Sequence, residues 1–489
     1  MVDPTPEQAE AIATYGDGLD LVLQAGAGCG KSSTLKLIAK SDPRRSMTYI
    51  AYNRSIAADA KRSFPGNVVA KTGHGLAFDP RYLPRIQRPV QTALDAAKAL
   101  GIERLTGGVQ RVLTDQGKQH ALTSKVVMRM ALDTLGRFCH GADDEIARRH
   151  VPRYDNLTAP ETRDRIAELV LPVARLAWSD ITSGDDGALK MSHDHYLKIW
   201  ALSHPRIESD VVLLDEAQDT NDVLARVLLD QEHSQRIAVG DSAQQIYEWR
   251  GAKDALATFE RELGAEVRTL SQSFRFGQPI ADEANAWLYH VGTPLRLTGW
   301  PTAESVVGPV EEPDAVLCRT NGGAVGIVME AIGAGRKTAL VGGGIELKKL
   351  AWAAEALQSG RTTDHPDFIA FDSWAAVREY AEEEDGSLRV LVKLIDDYGT
   401  KSIIGAADAL ASEDAAELVV STVHKAKGRE WPKVQIHHDF QPPKPDPETG
   451  LRVLRREEAR LAYVAVTRAR QQLDCDALAW IDTITAVTG

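Results

Sequence analysis

Cysteine is scarce in this chain: Cys29, Cys139, Cys318 and Cys475 stand far apart and form no CxxC pair. That spacing offers neither a disulfide framework nor a zinc site, and it fits a reducing, cytoplasmic setting. No apolar run of about eighteen residues occurs, so no membrane-spanning helix is expected. The start, Met1-Val2-Asp3-Pro4, lacks a basic stretch followed by an apolar one, which argues against a secretory leader. Internal repeats and long low-complexity segments are missing too. Nor is there an excess of basic charge, since the net charge is −12. An acidic total excludes a surface coated with positive charge. It leaves nucleic acid open, because phosphate binding depends on a local groove.

What is present is an ordinary globular composition, 43% hydrophobic and 26% charged, over 489 residues. That length exceeds one hydrophobic core, so two or more domains are expected. The first eighty residues alternate strand and helix. Residues 19–24, 47–51 and 67–71 read as short apolar strands, and 31–40 and 56–64 as helices. The alternation predicts a parallel sheet with helical crossovers. Residues 79–206 carry apolar side chains at helical spacing in 90–100, 125–138 and 162–177, without convincing strands, and read as a helical insertion. Strands resume at 211–214 and 236–239. A second α/β unit begins near residue 270, with strands expected at 315–318, 338–341, 418–421, 434–437 and 472–475. Between them, 345–415 is mostly helical and acidic. Its run Glu382-Glu383-Glu384-Asp385 reads as a solvated helix end, and 441–447 as an exposed proline-rich loop.

Ala25-Gly26-Ala27-Gly28-Cys29-Gly30-Lys31-Ser32 follows an expected strand and opens an expected helix. Glycines there let backbone N–H groups close on phosphates, and the helix N-terminus favours negative charge. Lys31 would neutralise the β- and γ-phosphates, and the Ser32 hydroxyl would ligate Mg²⁺. Ala25 stands where the strict P-loop pattern has glycine; the bland alternative is a Gly-rich turn that happens to carry Gly-Lys-Ser. A partner for this loop is the acidic pair that ends 211–214: Asp215 to hold the metal and Glu216 to activate water. Acidic pairs capping strands are common, so the pair gains meaning from the loop.

The order of further motifs resembles the superfamily 1 helicases of the UvrD/Rep/PcrA branch. Asp215-Glu216-Ala217-Gln218-Asp219 is similar to their DExQD box. Gly240-Asp241-Ser242-Ala243-Gln244-Gln245-Ile246-Tyr247-Glu248-Trp249-Arg250-Gly251-Ala252 is similar to motif III, and Gln272-Ser273-Phe274-Arg275 to motif IV. Thr422-Val423-His424-Lys425-Ala426-Lys427-Gly428-Arg429-Glu430-Trp431 is similar to motif V, and Glu458 through Arg470 to motif VI. Tyr49-Ile50-Ala51-Tyr52-Asn53 and the wording around Phe274 most resemble the core of the F-box DNA helicases and short phage or bacterial relatives. The resemblance covers nearly the whole chain.

It implies an α/β fold of two RecA-like P-loop NTPase lobes with parallel sheets, each carrying a mostly helical insertion. The expected limits are 1–78 and 207–270 for the first lobe, with 79–206 inserted, and 271–344 and 416–489 for the second, with a short insertion at 345–415. It also implies ATP and Mg²⁺ as cofactors. Gln8 would read adenine with Phe274 stacked on the base, and the loop from Ala25 to Ser33 (Ala25, Gly26, Ala27, Gly28, Cys29, Gly30, Lys31, Ser32, Ser33) would cradle phosphate. Glu430 would contact the sugar, Gln244 and Arg275 would sense the γ-phosphate, and Arg468 would be an arginine finger. Single-stranded DNA and single-strand/duplex junctions are the implied partners, for a monomer moving 3′ to 5′. Tyr247, Trp249, Arg250, His74, His424, Asn53 and Tyr52 would touch the strand. For Tyr52 a core role is the alternative. Gly73 departs from the family, which has an aromatic residue there. His193-Asp194-His195 and His437-His438-Asp439 lack a complete ligand set at recognised spacing, so surface or packing roles are expected. Two rivals stand beside a helicase: a translocase that strips proteins from single strands, and a nucleotide-gated scaffold without motor activity.

Overall fold

A computed structural model describes residues 3–246, 255–365, 367–383, 386–446, 449–484 and 486–488. Its strands, in chain order, are Leu21–Ala25 (β1), Met47–Ala51 (β2), Val68–Thr72 (β3), Gln110–Leu113 (β4), Gln119–Leu122 (β5), Val211–Leu214 (β6), Gln235–Gly240 (β7) and Glu266–Leu270 (β8). Then follow Val306–Val307 (β9), Ala315–Cys318 (β10), Thr338–Leu340 (β11), Leu418–Thr422 (β12), Trp431–Ile436 (β13), Val453–Arg455 (β14), Ala469–Asp474 (β15) and Ala486–Thr488 (β16). Two six-stranded sheets result, ordered β3-β2-β6-β7-β1-β8 and β11-β12-β10-β13-β15-β9. Every pairing in both is parallel. These are the two α/β lobes expected from the sequence.

Parallel strands covered by helices on both faces read as continuous apolar runs, and β6, Val-Val-Leu-Leu, is buried at all four positions. The order β6-β7-β1 matters most for function. It sets the C-terminal ends of three neighbouring strands side by side, at Leu214, Gly240 and Ala25. The loops leaving those ends carry Asp215, Asp241 and the glycine-rich turn, the edge where open α/β sheets place ligands.

One buried apolar cluster runs through both lobes, from Leu23 and Val239 to Leu317, Val434 and Val466, so the lobes share a core. Each fully buried Leu or Val in it contributes roughly 1.5–3 kcal/mol. The first insertion has a separate core on the helices Ser124–His140 and Pro160–Thr182, which Val223, Ile369 and Ala370 join from outside it. In the former, Val127, Met130, Ala131, Thr134, Leu135 and Phe138 recur at helical spacing on one buried face, and Thr123 caps its start. The second insertion packs the helices Ile345–Gln358, Trp374–Glu383 and Gly386–Ala409 on the second sheet.

The first insertion is not free of strands, contrary to the sequence expectation. β4 and β5 form an antiparallel hairpin whose turn uses Gly117 at φ +73°. With four residues each and half of them polar, these strands leave too weak an alternation to read. The two-residue, exposed β9 also escaped the sequence reading. Among the described residues, no helix is long and apolar enough to cross a membrane. All four cysteines are free thiols, and only Cys475 is not buried. Gln441 is exposed, and Pro445 bridges Arg452 within the proline-rich loop. Pro447 lies outside the described residues, as do Glu384 and Asp385 of the acidic run.

Candidate nucleotide and single-strand site

The loop after β1 turns on two glycines in left-handed backbone, Gly28 at φ +74° and Gly30 at φ +75°. A Cβ at Gly28 would lie 2.6 Å from Ser273 Oγ and 2.7 Å from Arg275 Cβ, and one at Gly30 would lie 3.1 Å from Phe274. Glycine is therefore required twice, for the turn and for the close approach of the Ser273–Arg275 segment. The helix Lys31–Ser41 starts directly behind it and points its N-terminus at the cradle.

Lys31 Nζ stands 3.0 Å from Glu216 Oε2, so the cation expected at the phosphates and the candidate base meet at one point. Glu216 reaches there from a positive φ of +52°, uncommon for a residue with a side chain and a form of strain that clusters at functional sites. Burial works against its charge, but Lys31, Gln218 and Lys427 hold its carboxyl below the usual range. Burial likewise opposes the Lys31 charge, and Glu216, Asp241 and Asp215 overcome it, so that the ammonium titrates above its ordinary value.

Ser32 Oγ donates to Asp215 Oδ2 at 2.9 Å, and Tyr49 OH donates to the same oxygen at 2.5 Å. Two cis ligands of an octahedral Mg²⁺ sit about 3.0 Å apart, given Mg–O bonds of about 2.1 Å. The hydroxyl–carboxylate pair thus has the donor chemistry and spacing that this ion takes. Burial, then the charge of Glu216, raises the Asp215 pKa, which a cation would reverse.

On the side where the base is expected, Gln8 closes a capping box with Thr5 and donates from Nε2 to Thr34 Oγ1 at 3.1 Å. Gly30 lies between Gln8 and Phe274. Phe274 is partly exposed and leans on Trp300, with ring centroids 4.8 Å apart. Arg275 pairs with Glu430 at 2.6 Å and donates to Thr467 O at 3.0 Å. The two residues expected at γ-phosphate and sugar therefore hold each other.

Gln244 and Arg468 meet across the lobes. Gln244 Nε2 donates to Asp241 Oδ2 at 2.6 Å, and Arg468 donates to Gln244 Oε1 at 3.3 Å. The other side-chain hydrogen bonds of Arg468 among the described residues run to Val464 O, Arg429 O and Thr467 Oγ1. It is 1% exposed, and burial followed by the Arg275 charge pushes its pKa down to about 9.

Four residues had no role assigned from the sequence. Gln218 links Glu216 to the Asp241 N–H, Lys427 pairs with Asp219 at 2.6 Å, Tyr463 reaches the phosphate loop, and Trp300 backs Phe274. Three of them stood inside quoted motifs, but their partners lie up to 436 residues away in the chain. Trp300 lies in no motif and had no local signal.

On the expected DNA side, His424 lines a cavity of about 780 Å³ together with Gln245, Arg319, Thr320, Asn321 and Lys425. Tyr52 is 54% exposed, so the core alternative does not describe it. Asn53 caps the helix Arg54–Ser63 through its own side chain. His74 pairs with Asp194 at 3.0 Å, against the first insertion. A Cβ at Gly73 would lie 2.7 Å from Leu224, which explains the lack of an aromatic residue there. Tyr247, Trp249 and Arg250 lie outside the described residues. Asp194 also reaches His140, and His195 closes a capping box with Ser192. Asp439 accepts the N–H groups of Arg319 and Thr320 and pairs with His437, near Cys318.

Comparison with known proteins agrees with this layout. Residues 167–262 match the UvrD/REP helicase N-terminal domain, and residues 374–475 match the UvrD-like helicase C-terminal domain. The chain is 28% identical to F-box DNA helicase protein 1 of Schizosaccharomyces pombe, over 93% of this chain and 55% of that protein. It is 27% identical to F-box DNA helicase 1 of Gallus gallus, over 92% of this chain and 46% of that one. With the ATP-dependent DNA helicase PcrA of Leuconostoc citreum, identity is 28% over 58% of this chain and 39% of the relative. The chain thus spans about half the length of the two F-box relatives. Motif order, paired parallel sheets and both domain matches together make the chain similar to the UvrD/Rep/PcrA type of superfamily 1 helicases.

Proposed function

We propose that this chain is an ATP-driven motor that moves 3′ to 5′ along single-stranded DNA and separates duplex strands, in DNA replication, repair or recombination. The observation that carries the reading is the convergence of Lys31, Ser32, Asp215 and Glu216 beside the cross-lobe pair Gln244–Arg468. A scaffold that only binds nucleotide has no need of a candidate base and a second-lobe arginine at one cleft.

In this mechanism the N–H groups of the loop and Lys31 cradle the phosphates, and Ser32 and Asp215 hold Mg²⁺. The ion supplies charge neutralisation at the phosphates. Adenine enters between Gln8 and Phe274. Glu216, kept ionised, accepts a proton from the attacking water, and Arg468 offsets charge that develops in the transition state. Because Arg468 belongs to the second lobe, turnover is tied to how the lobes dock. The cavity lined by His424, Lys425, Arg319 and Asn321 is the proposed path of the strand backbone, with Tyr52, Tyr247 and Trp249 as stacking faces.

The test is unwinding of duplexes carrying a 3′ or a 5′ single-stranded tail, beside displacement of streptavidin from biotinylated single strands. Unwinding from the 3′ tail supports a helicase. Streptavidin displacement without unwinding selects the stripping translocase, a reading in keeping with the short second insertion.

A further inference from the structure

The mechanism above makes no use of Tyr463, a fully buried side chain on the second-lobe helix Arg456–Val466. Its hydroxyl accepts the Ala27 N–H at 3.1 Å and donates to Asp241 Oδ2 at 2.9 Å. The direction is fixed, because a backbone N–H can only donate and the single phenolic proton must therefore go to the carboxylate. Burial, reinforced by the Asp241 charge, pushes the phenol pKa well above its ordinary value, so the proton stays in place.

The same Asp241 oxygen accepts from Gln244, and Gln244 meets Arg468. Arg468 follows Tyr463 by five residues, two beyond the end of the same helix. The hydroxyl therefore closes a ring that runs from the phosphate loop through Asp241 and Gln244 to the arginine and back along the helix. Every side chain in the ring is at most 5% exposed, so no solvent replaces a bond that is lost.

We propose that Tyr463 is a positioning residue, tying the phosphate loop to the Gln244–Arg468 pair so that docking of the second lobe sets both at once. The inference rests on the ATP-hydrolysing reading given above. Phenylalanine fills the same space, strands the buried Ala27 N–H and removes one of the two donors to Asp241 Oδ2, leaving that of Gln244. Tyr463→Phe should lower DNA-stimulated turnover about tenfold to a hundredfold, the loss expected when a buried group loses its partner. Affinity for a fluorescent ATP analogue should stay within about threefold, because Lys31 and the cradle remain.

The deciding measurement is a double-mutant cycle with Arg468→Ala. A residue that works through Arg468 gives losses that do not multiply, whereas a general packing defect gives losses that do. Multiplying losses, or turnover of Tyr463→Phe equal to wild type, overturn the proposal. If Tyr463→Phe does not fold by circular dichroism, Asp241→Asn breaks the ring from the first lobe and is judged by the same two criteria. A wild-type protein without DNA-stimulated hydrolysis removes the motor reading and this inference with it. A normal Tyr463→Phe beside a defective Arg468→Ala removes only the role of Tyr463.

Discussion

Replacing Lys427 with methionine should destabilise the junction of the lobes by an amount the structure sets. Lys427 comes from the second lobe, and its Nζ lies 2.6 Å from Asp219 Oδ1 of the first, with side chains only 9% and 4% exposed. It also donates to the Gln244 carbonyl. Burial lowers the Lys427 pKa and raises that of Asp219, so each charge is held there by the other. Lys427→Met keeps the volume but leaves the carboxylate with Gln218 as its remaining described hydrogen-bond partner. Breaking such a pair from one side costs about 3–5 kcal/mol, while replacing both partners by apolar groups is roughly neutral. Urea unfolding followed by tryptophan fluorescence and circular dichroism should show that loss for Lys427→Met, and its recovery in Lys427→Met/Asp219→Leu. The deficit should also shrink in acid. Asp219 has a raised folded pKa, so the stability it contributes by taking up a proton is fully present below the ordinary carboxylate range. That contribution fades as pH climbs through the raised value. A single variant within about 0.5 kcal/mol of wild type, or a double variant no better than the single, would show that the buried pair does not hold the lobes together.

Other outcomes are expected from the proposed roles. Lys31→Ala and Glu216→Gln should each abolish DNA-stimulated hydrolysis, and Glu216→Gln should still bind ATP; near-normal turnover by Glu216→Gln would remove it as the base. Arg468→Ala should lose roughly 10³–10⁵-fold in turnover with little change in ATP affinity, and equal loss of both would assign it a ground-state role. Gln218→Leu removes a donor that keeps Glu216 low, so the acid limb of the pH–turnover curve should move to higher pH; an unmoved limb separates that limb from Glu216. Trp249→Ala should weaken single-strand binding by about 1–3 kcal/mol while basal ATPase survives, and normal binding by a folded variant shifts the stacking role to Tyr247.

The sequence made visible whatever is local in the chain. The strand–turn–helix around Lys31 follows from a short apolar run, three glycines and a helix that begins at the lysine. Likewise Val-Val-Leu-Leu before Asp215-Glu216 reads directly as a buried strand ending in acid. The hairpin at Gln110–Leu122 did not read, because its alternation is four residues long and half polar. Contacts between distant segments were out of reach for a different reason. Nothing near Lys427 indicates Asp219, and nothing near Tyr463 indicates Ala27, since those pairs exist only once both lobes are folded and docked. Trp300 behind Phe274 is the same case: a tryptophan in a loop, given meaning by a ring that folding brings within 4.8 Å.

The proposed motor couples hydrolysis at the Lys31–Glu216 cleft to a single strand bound by the same two lobes. Steady-state ATP hydrolysis by the wild-type chain, measured with Mg²⁺ in the presence and absence of single-stranded DNA, tests it most directly. That coupling predicts slow hydrolysis alone and a rise of about tenfold or more with single strands, absent from Glu216→Gln and Arg468→Ala. Hydrolysis that is indifferent to DNA, or none under either condition, would contradict it.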